Sequence, residues 1–190
     1  MNNRFVVLAS LIIVLLLASS IGGASLSAYA IRNSPPSFSG GTFLKYTDGL
    51  RINGQVIDAS KYSQKLNTPL VLPLGQSSTI TLKIFDNEGP TTIKAAALYT
   101  NMRGEHLSTS TGDTSIVYFI DKHQLTVTDP HKLFGKVTAE YKIMHPFIYV
   151  IFHVTPIAKL DTSNLAIAAM DDRNSFSSSL LIDAIKLGLI

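Results

Sequence analysis

"STITLKIFD", residues 78–86, is the stretch whose reading decides the fold. Ile80, Leu82 and Ile84 alternate with Thr79, Thr81, Lys83 and Phe85. Successive side chains of a strand point to opposite faces, so this period of two predicts a β-strand with one apolar face. "DNEGP" (86–90) then reads as a turn and "TIKAAALYTN" (92–101) as a second strand.

The same pattern extends in both directions. Upstream, "LRINGQVID" (50–58) places Asn53-Gly54 between two short β-type runs. That pair suits a type I′ turn, which needs positive φ at both central residues. "DASKYSQKL" (58–66) is expected to form one helical turn capped by Asp58 or Ser60 and ended by Pro69. "LVLPL" (70–74) is expected at a sheet edge, because Pro73 has no N–H to give to a ladder. Downstream, "SIVYFID", "HQLTVTD", "KVTAEYKI", "FIYVIFHVT", "NLAIAAMD" and "SLLIDAIKL" add further strands separated by Gly, Pro, Asn and Asp. No amphipathic helix interrupts them. The fold class predicted is all-β: an antiparallel immunoglobulin-like β-sandwich, preceded by an N-terminal hydrophobic signal or anchor helix. The Cys…Trp…Cys arrangement of true immunoglobulin domains is absent from the sequence.

Residues 1–30 carry one charge, Arg4, then an apolar run from Phe5, and close on Ala28-Tyr29-Ala30. This is the layout of a secretory signal peptide with cleavage after Ala30. Phe5 to Ala24 is also long enough to cross a bilayer core as an uncleaved anchor. Either alternative places the remainder outside the cytoplasm, secreted or held at the membrane by residues 5–24. Residues 31–42, "IRNSPPSFSGGT", read as a flexible Ser/Gly/Pro linker, and 43–190 as the sandwich domain.

The formal charge of +3 falls to +2 without Arg4, and no Lys/Arg cluster accompanies it, so no nucleic-acid partner is expected. With no cysteine in the chain, thiol catalysis, Cys-ligated zinc, iron–sulfur clusters and disulfides are excluded.

"KIMHPFIYVIFHVTP" (142–156) raises the possibility of a copper-handling segment. His145 and His153 are eight residues apart, roughly 26 Å along a strand, too far to share one metal. The other candidates, Met102, His106, His131, Met144 and Met170, are scattered singly apart from Met144-His145, whose side chains would point to opposite faces of a strand. The run between the histidines is apolar on both faces and reads as a central strand packed on each side. Asp86-Asn87-Glu88-Gly89 and Asp171-Asp172 hint at calcium but lack the spacing of a calcium loop. Asp58, Asp86, Asp121, Asp129 and Asp171 each follow an apolar strand, where aspartate caps a turn through backbone N–H groups. No catalytic motif is present: G-x-S-x-G, H-E-x-x-H and S-x-x-K are all missing. The expectation is therefore no enzyme, no cofactor, and no catalytic, cofactor-binding or metal residue.

The stretches "YTDGLRINGQVIDASKYSQ", "STITLKIFDNEGPTTIKAAALYTNMRG", "GDTSIVYF", "LTVTDPHKLF" and "DTSNLAIAAMDD" resemble a group of uncharacterised exported archaeal β-rich proteins, over about residues 46 to 187. Proteins of that group often carry tryptophan where this chain has Met170. The resemblance implies export and a β-rich domain, and no activity. The functional expectation is a binding or structural module at the cell envelope with an unknown envelope protein as partner. The alternative is an extracytoplasmic metal-binding domain.

Overall fold

The computed structural model describes residues 34–41, 43–102, 104 and 110–189. The signal or anchor segment, Ile31 and His106 lie outside these residues. The described chain belongs to a compact unit that starts at Ser34.

Twelve strands form two sheets: β1 (Leu50–Ile52), β2 (Gln55–Ile57), β3 (Ser63–Lys65), β4 (Leu70–Pro73), β5 (Ser78–Phe85), β6 (Ile93–Met102), β7 (Thr114–Phe119), β8 (Gln124–Thr128), β9 (Phe134–Met144), β10 (Phe147–Pro156), β11 (Leu160–Asp171) and β12 (Phe176–Gly188). The first sheet has the order β2-β1-β5-β10-β9. The second has seven strands, β3-β12-β11-β6-β7-β8, with β4 also paired to β12. Both contribute to one core. From the first come Ile80, Leu82, Ile84, Ile148, Val150 and Phe152; from the second, Leu98, Ile116, Leu165, Ile167, Leu181 and Ile185. Two sheets sharing a core make a β-sandwich, as the alternation predicts.

The hairpin at Asn53-Gly54 has φ of 49° and 83°, so both central residues take the conformation a type I′ turn needs. Asn53 also fastens this hairpin to β5: its Oδ1 accepts from the Thr79 amide at 2.8 Å. Four of the five strand-ending aspartates cap backbone as expected. Asp58 accepts from the Ser60 amide, Asp86 from Glu88, Asp129 from Phe134, and Asp171 from Arg173 and Ser175. Edge strand β4 pairs with β12 and ends on Pro73.

Four expectations are corrected. The sheets are not wholly antiparallel, because β3 and β4 run parallel to β12 along its outer edge. Residues 58–66 form no helical turn: Ser63–Lys65 pair with β12 instead, and the Ser179 hydroxyl donates to the Lys61 carbonyl at 2.7 Å. A neighbouring strand edge offers these residues more backbone hydrogen bonds than one isolated turn could.

The linker expectation fails for residues 34–41, so the domain begins at 34 rather than 43. The Ser37 and Phe85 backbones exchange hydrogen bonds at 2.7 and 2.9 Å, and Phe38 is buried in the core. Burial of Pro36 and Phe38 and the Ser37–Phe85 bridge hold this Ser/Gly/Pro stretch on the sandwich. Gly49 permits the approach, since a Cβ there would lie 1.8 Å from the Phe38 carbonyl oxygen.

Finally, β10 is central but packed on one face only. Ile148, Val150, Phe152 and Val154 are fully buried, whereas Phe147, Tyr149, Ile151 and His153 are half-buried on the outside of the sheet. Two-sided burial occurs instead in β6 and β11. Ala95, Ala97 and Tyr99, and Ala166 and Ala168, point away from the core side chains Ala96, Leu98 and Ile167, yet are also buried.

Candidate binding surface

The outward residues of β5, β10 and β9 fall into rows set by strand register. Phe85, Phe147 and Met144 form the first row; Lys83, Tyr149 and Lys142 the second; Thr81, Ile151 and Glu140 the third; Thr79, His153 and Thr138 the fourth. Directly paired residues share a face, so these twelve side chains form one continuous surface.

Its most ordered part is a cation held between rings. Lys83 Nζ lies 4.3 Å from the ring centroids of both Tyr46 and Phe147. It also donates to Asp48 Oδ1 at 2.8 Å, while Asp48 Oδ2 accepts from Arg51 at 2.9 Å. These hydrogen bonds, with Lys83 first and Arg51 second, hold the Asp48 carboxyl below the usual carboxylate range. The Tyr46 hydroxyl shares its one proton between the carbonyls of Ser37 and Lys83, at 2.9 and 3.2 Å. Burial, aided by the Asp48 charge, pushes that phenol well above its ordinary pKa. Tyr46 is therefore a fixed neutral strut that ties Ser37 to β5. Lys83 is already committed to Asp48 and the rings, so the cluster is rigid before any ligand arrives.

The aromatic rings meet edge to face. Tyr46 and Phe147 are 5.2 Å apart at 84°, Phe85 and Phe147 6.3 Å at 62°, and Phe147 and Tyr149 6.3 Å at 73°. Such a herringbone presents ring edges and apolar relief. It does not make the coplanar shelf on which a sugar ring stacks.

The residues weighed for metal chemistry do not converge. His153 Nδ1 lies 3.2 Å from the Thr79 hydroxyl and its Nε2 lies 3.9 Å from Glu140, on the outer face of β10. His145 occupies the two-residue turn between β9 and β10, at the other end of that strand. His131 lies in the β8–β9 loop beside Gly112. Met102 is buried at the end of β6, Met170 pairs with Ala95 and Phe176, and Met144 is half exposed. Among the described residues no group of three His, Asp or Glu side chains could hold a metal ion.

The acidic stretches, distant in sequence, do meet. Glu88 Oε1 accepts from Arg173 at 2.7 Å, joining the β5–β6 loop to the β11–β12 turn. Asp86 is 2 % exposed, and burial followed by the charges of Asp171 and Asp172 raises its pKa. Asp86 Oδ2 and Glu88 Oε2 are buried without a hydrogen-bond partner. Asp171 is engaged by backbone amides, which makes this a strap between the sheets.

Sequence reasoning missed the Tyr46–Lys83–Phe147–Asp48 cluster for two reasons. Tyr46 was not read as part of the surface, and Phe147 and Tyr149 were assigned to a second buried face. The available signal was the pair Lys83 and Phe85 on the polar side of β5, which shows that this side of the sheet meets water.

No family model and no curated protein matches the chain. Solved structures with partial likeness include a family 9 carbohydrate-binding module from Caldicellulosiruptor kristjanssonii in complex with cellotriose. It is 8% identical with a TM-score of 0.38, over 61% of this chain and 71% of that one. A structure from work on the cell-adhesive interactions of VGSC beta subunits is 9% identical with a TM-score of 0.39, over 67% and 93% of the two chains. The extracellular portion of mouse CD200RLa is 11% identical with a TM-score of 0.32, over 65% and 56%. At such scores the architecture rests on this chain's own strand pairing.

Proposed function

We propose that this chain is an exported, immunoglobulin-like sandwich that works as a binding module at the cell envelope. It engages a protein partner with the outer face of β5, β10 and β9. The observation that supports this reading is the row structure of that face: half-buried Phe147, Tyr149 and Ile151 down its central strand, with Lys83, Lys142, Thr81 and Glu140 on either side. An apolar centre inside a polar rim is the anatomy of a protein interface. The herringbone of rings favours a protein surface over a stacked sugar.

The test is affinity capture from envelope extracts with the full chain, wild type against Ile151→Asp, with metal content measured on the same samples. A partner retained by wild type and lost from Ile151→Asp supports the reading. Equal capture by both, with the variant folded by circular dichroism, overturns it.

A further inference from the structure

We infer that the end of the sandwich where residue 34 enters is a second contact surface, one that fits an anionic lipid bilayer. β5 ends there at Phe85, β10 begins at Phe147 and β9 ends at Met144, all in one register row. Residues 40, 41 and 43–46 lie against that row. Gly40 and Lys45 form a bridge, a Cβ at Gly41 would come within 2.8 Å of the Phe85 ring, and Tyr46 packs on Phe147.

Large apolar side chains gather here in contact with water. Phe43 is 101% exposed, Met144 50%, Ile143 43% and Leu44 36%. Lys45 and Lys142 flank them, both exposed and neither in an ion pair among the described residues. Of the acids near this rim, Asp48 is engaged by Lys83 and Arg51 and Glu88 by Arg173, Asp86 is buried, and Glu140 is exposed two residues from Lys142 on the same face of β9. Asp121 and Asp172 belong to loops of the other sheet. Exposed apolar residues flanked by free lysines are the composition of a surface that settles into lipid headgroups.

The occupant follows from where the chain comes in. The Ser34 amide donates to Asn87 Oδ1 at 3.4 Å, which puts Ser34 at this end. The sequence before it includes the apolar run from Phe5 to Ala24. The segment from 25 to 33 can span at most about 30 Å. With the run kept as the uncleaved anchor, the bilayer that holds it lies within reach of this end of the sandwich. The inference rests on the envelope reading above, and it assigns the rim to lipid, with Lys142 at the border of both surfaces, while the rows around Ile151 stay with a protein partner.

A cysteine-free chain permits a direct test. Full-length chain carrying Phe43→Cys, Met144→Cys or Ile157→Cys, each labelled with an environment-sensitive nitrobenzoxadiazole dye, is reconstituted into vesicles containing spin-labelled lipid. One set is phosphatidylcholine with phosphatidylglycerol and the other phosphatidylcholine alone. Blue-shifted, lipid-quenched emission at 43 and 144 but not at 157, the far end of β10, supports the inference if it is strongest in the anionic set. Lys45→Gln with Lys142→Gln should lower the docked-to-free ratio about thirtyfold, at about 1 kcal/mol for each lysine near a charged surface. Labels at 43 and 144 that behave like the one at 157 overturn it, as does equal quenching in both vesicle sets. Ile151→Asp should leave the quenching unchanged, so either reading can fail without the other.

Discussion

Strands β10 and β11 look alike in sequence, and the sandwich treats them differently. Both are apolar at successive positions, and each is central in its sheet. In β11 the outward residue Ala166 is small and lies in one row between Tyr99 and Leu180, while Ala168, also buried, lies between Ala97 and Ser178. In β10 two large outward residues stand between polar ones: Tyr149 lies between Lys83 and Lys142, and Ile151 between Thr81 and Glu140. A methyl barely clears the pleat, so at Ala166 the taller Tyr99 and Leu180 shield it. A ring or branched chain rises above its threonine neighbours and keeps part of its surface in water. Two-sided burial is thus a property of a row across strands, which one strand's apolar content does not report.

The comparison can be broken most decisively at its core. Phe152 is fully buried on the inner face of β10, and Phe152→Ala should cost about 3–5 kcal/mol. Outward Tyr149→Ala should cost far less, and urea melts of the two variants measure the contrast. Equal losses would mean that β10 is packed on both faces after all.

On the other sheet, Ala166→Leu adds volume to a position with no exposed surface. Overpacking of this kind should cost about 1–3 kcal/mol. Ile151→Leu on β10 should be close to neutral. A tolerated Ala166→Leu would remove the distinction between the two outer faces.

The strap joining the sheets offers a pH test. Burial is the first cause of the raised Asp86 pKa, so ionisation of this carboxyl costs folded-state stability. The native chain is spared that cost below the unfolded value near 3.8 and bears it in full once pH exceeds the folded value. Asp86→Asn keeps an acceptor for the Glu88 amide and removes the charge. Its melting temperature relative to wild type should therefore rise from about pH 3 to about pH 7. A difference independent of pH would show that Asp86 is not strained by its surroundings.

The smallest effect is expected at the histidine that first suggested copper. His153 is over a third exposed and hydrogen-bonded to Thr79. His153→Gln should change stability by no more than about 0.5 kcal/mol. It should also leave copper and zinc titrations unchanged. Loss of a stoichiometric, tight metal site in this variant would reinstate the metal-binding alternative.

Much of the architecture was legible because it is local. Alternation at 78–86, the Asn53-Gly54 turn, the aspartate caps and the edge position of Pro73 each depend on a few adjacent residues and on backbone geometry. Ser63–Lys65 escaped because its partner, β12, lies more than a hundred residues away and runs parallel. The candidate surface escaped for a related reason. Its four members Tyr46, Asp48, Lys83 and Phe147 come from three separate parts of the chain, and only register and ring packing bring them together.

The sequence by itself determined that the chain makes strands, where most of them turn, and that no thiol chemistry is open to it. Backbone alternation, turn propensity and the absence of cysteine are properties of short segments or of composition alone. The tertiary structure decided which apolar faces meet water, that Phe38 belongs to the core, and that Lys83 lies between two rings. Those outcomes depend on which strand lies beside which, and strand neighbours are chosen by the packing of the whole sandwich.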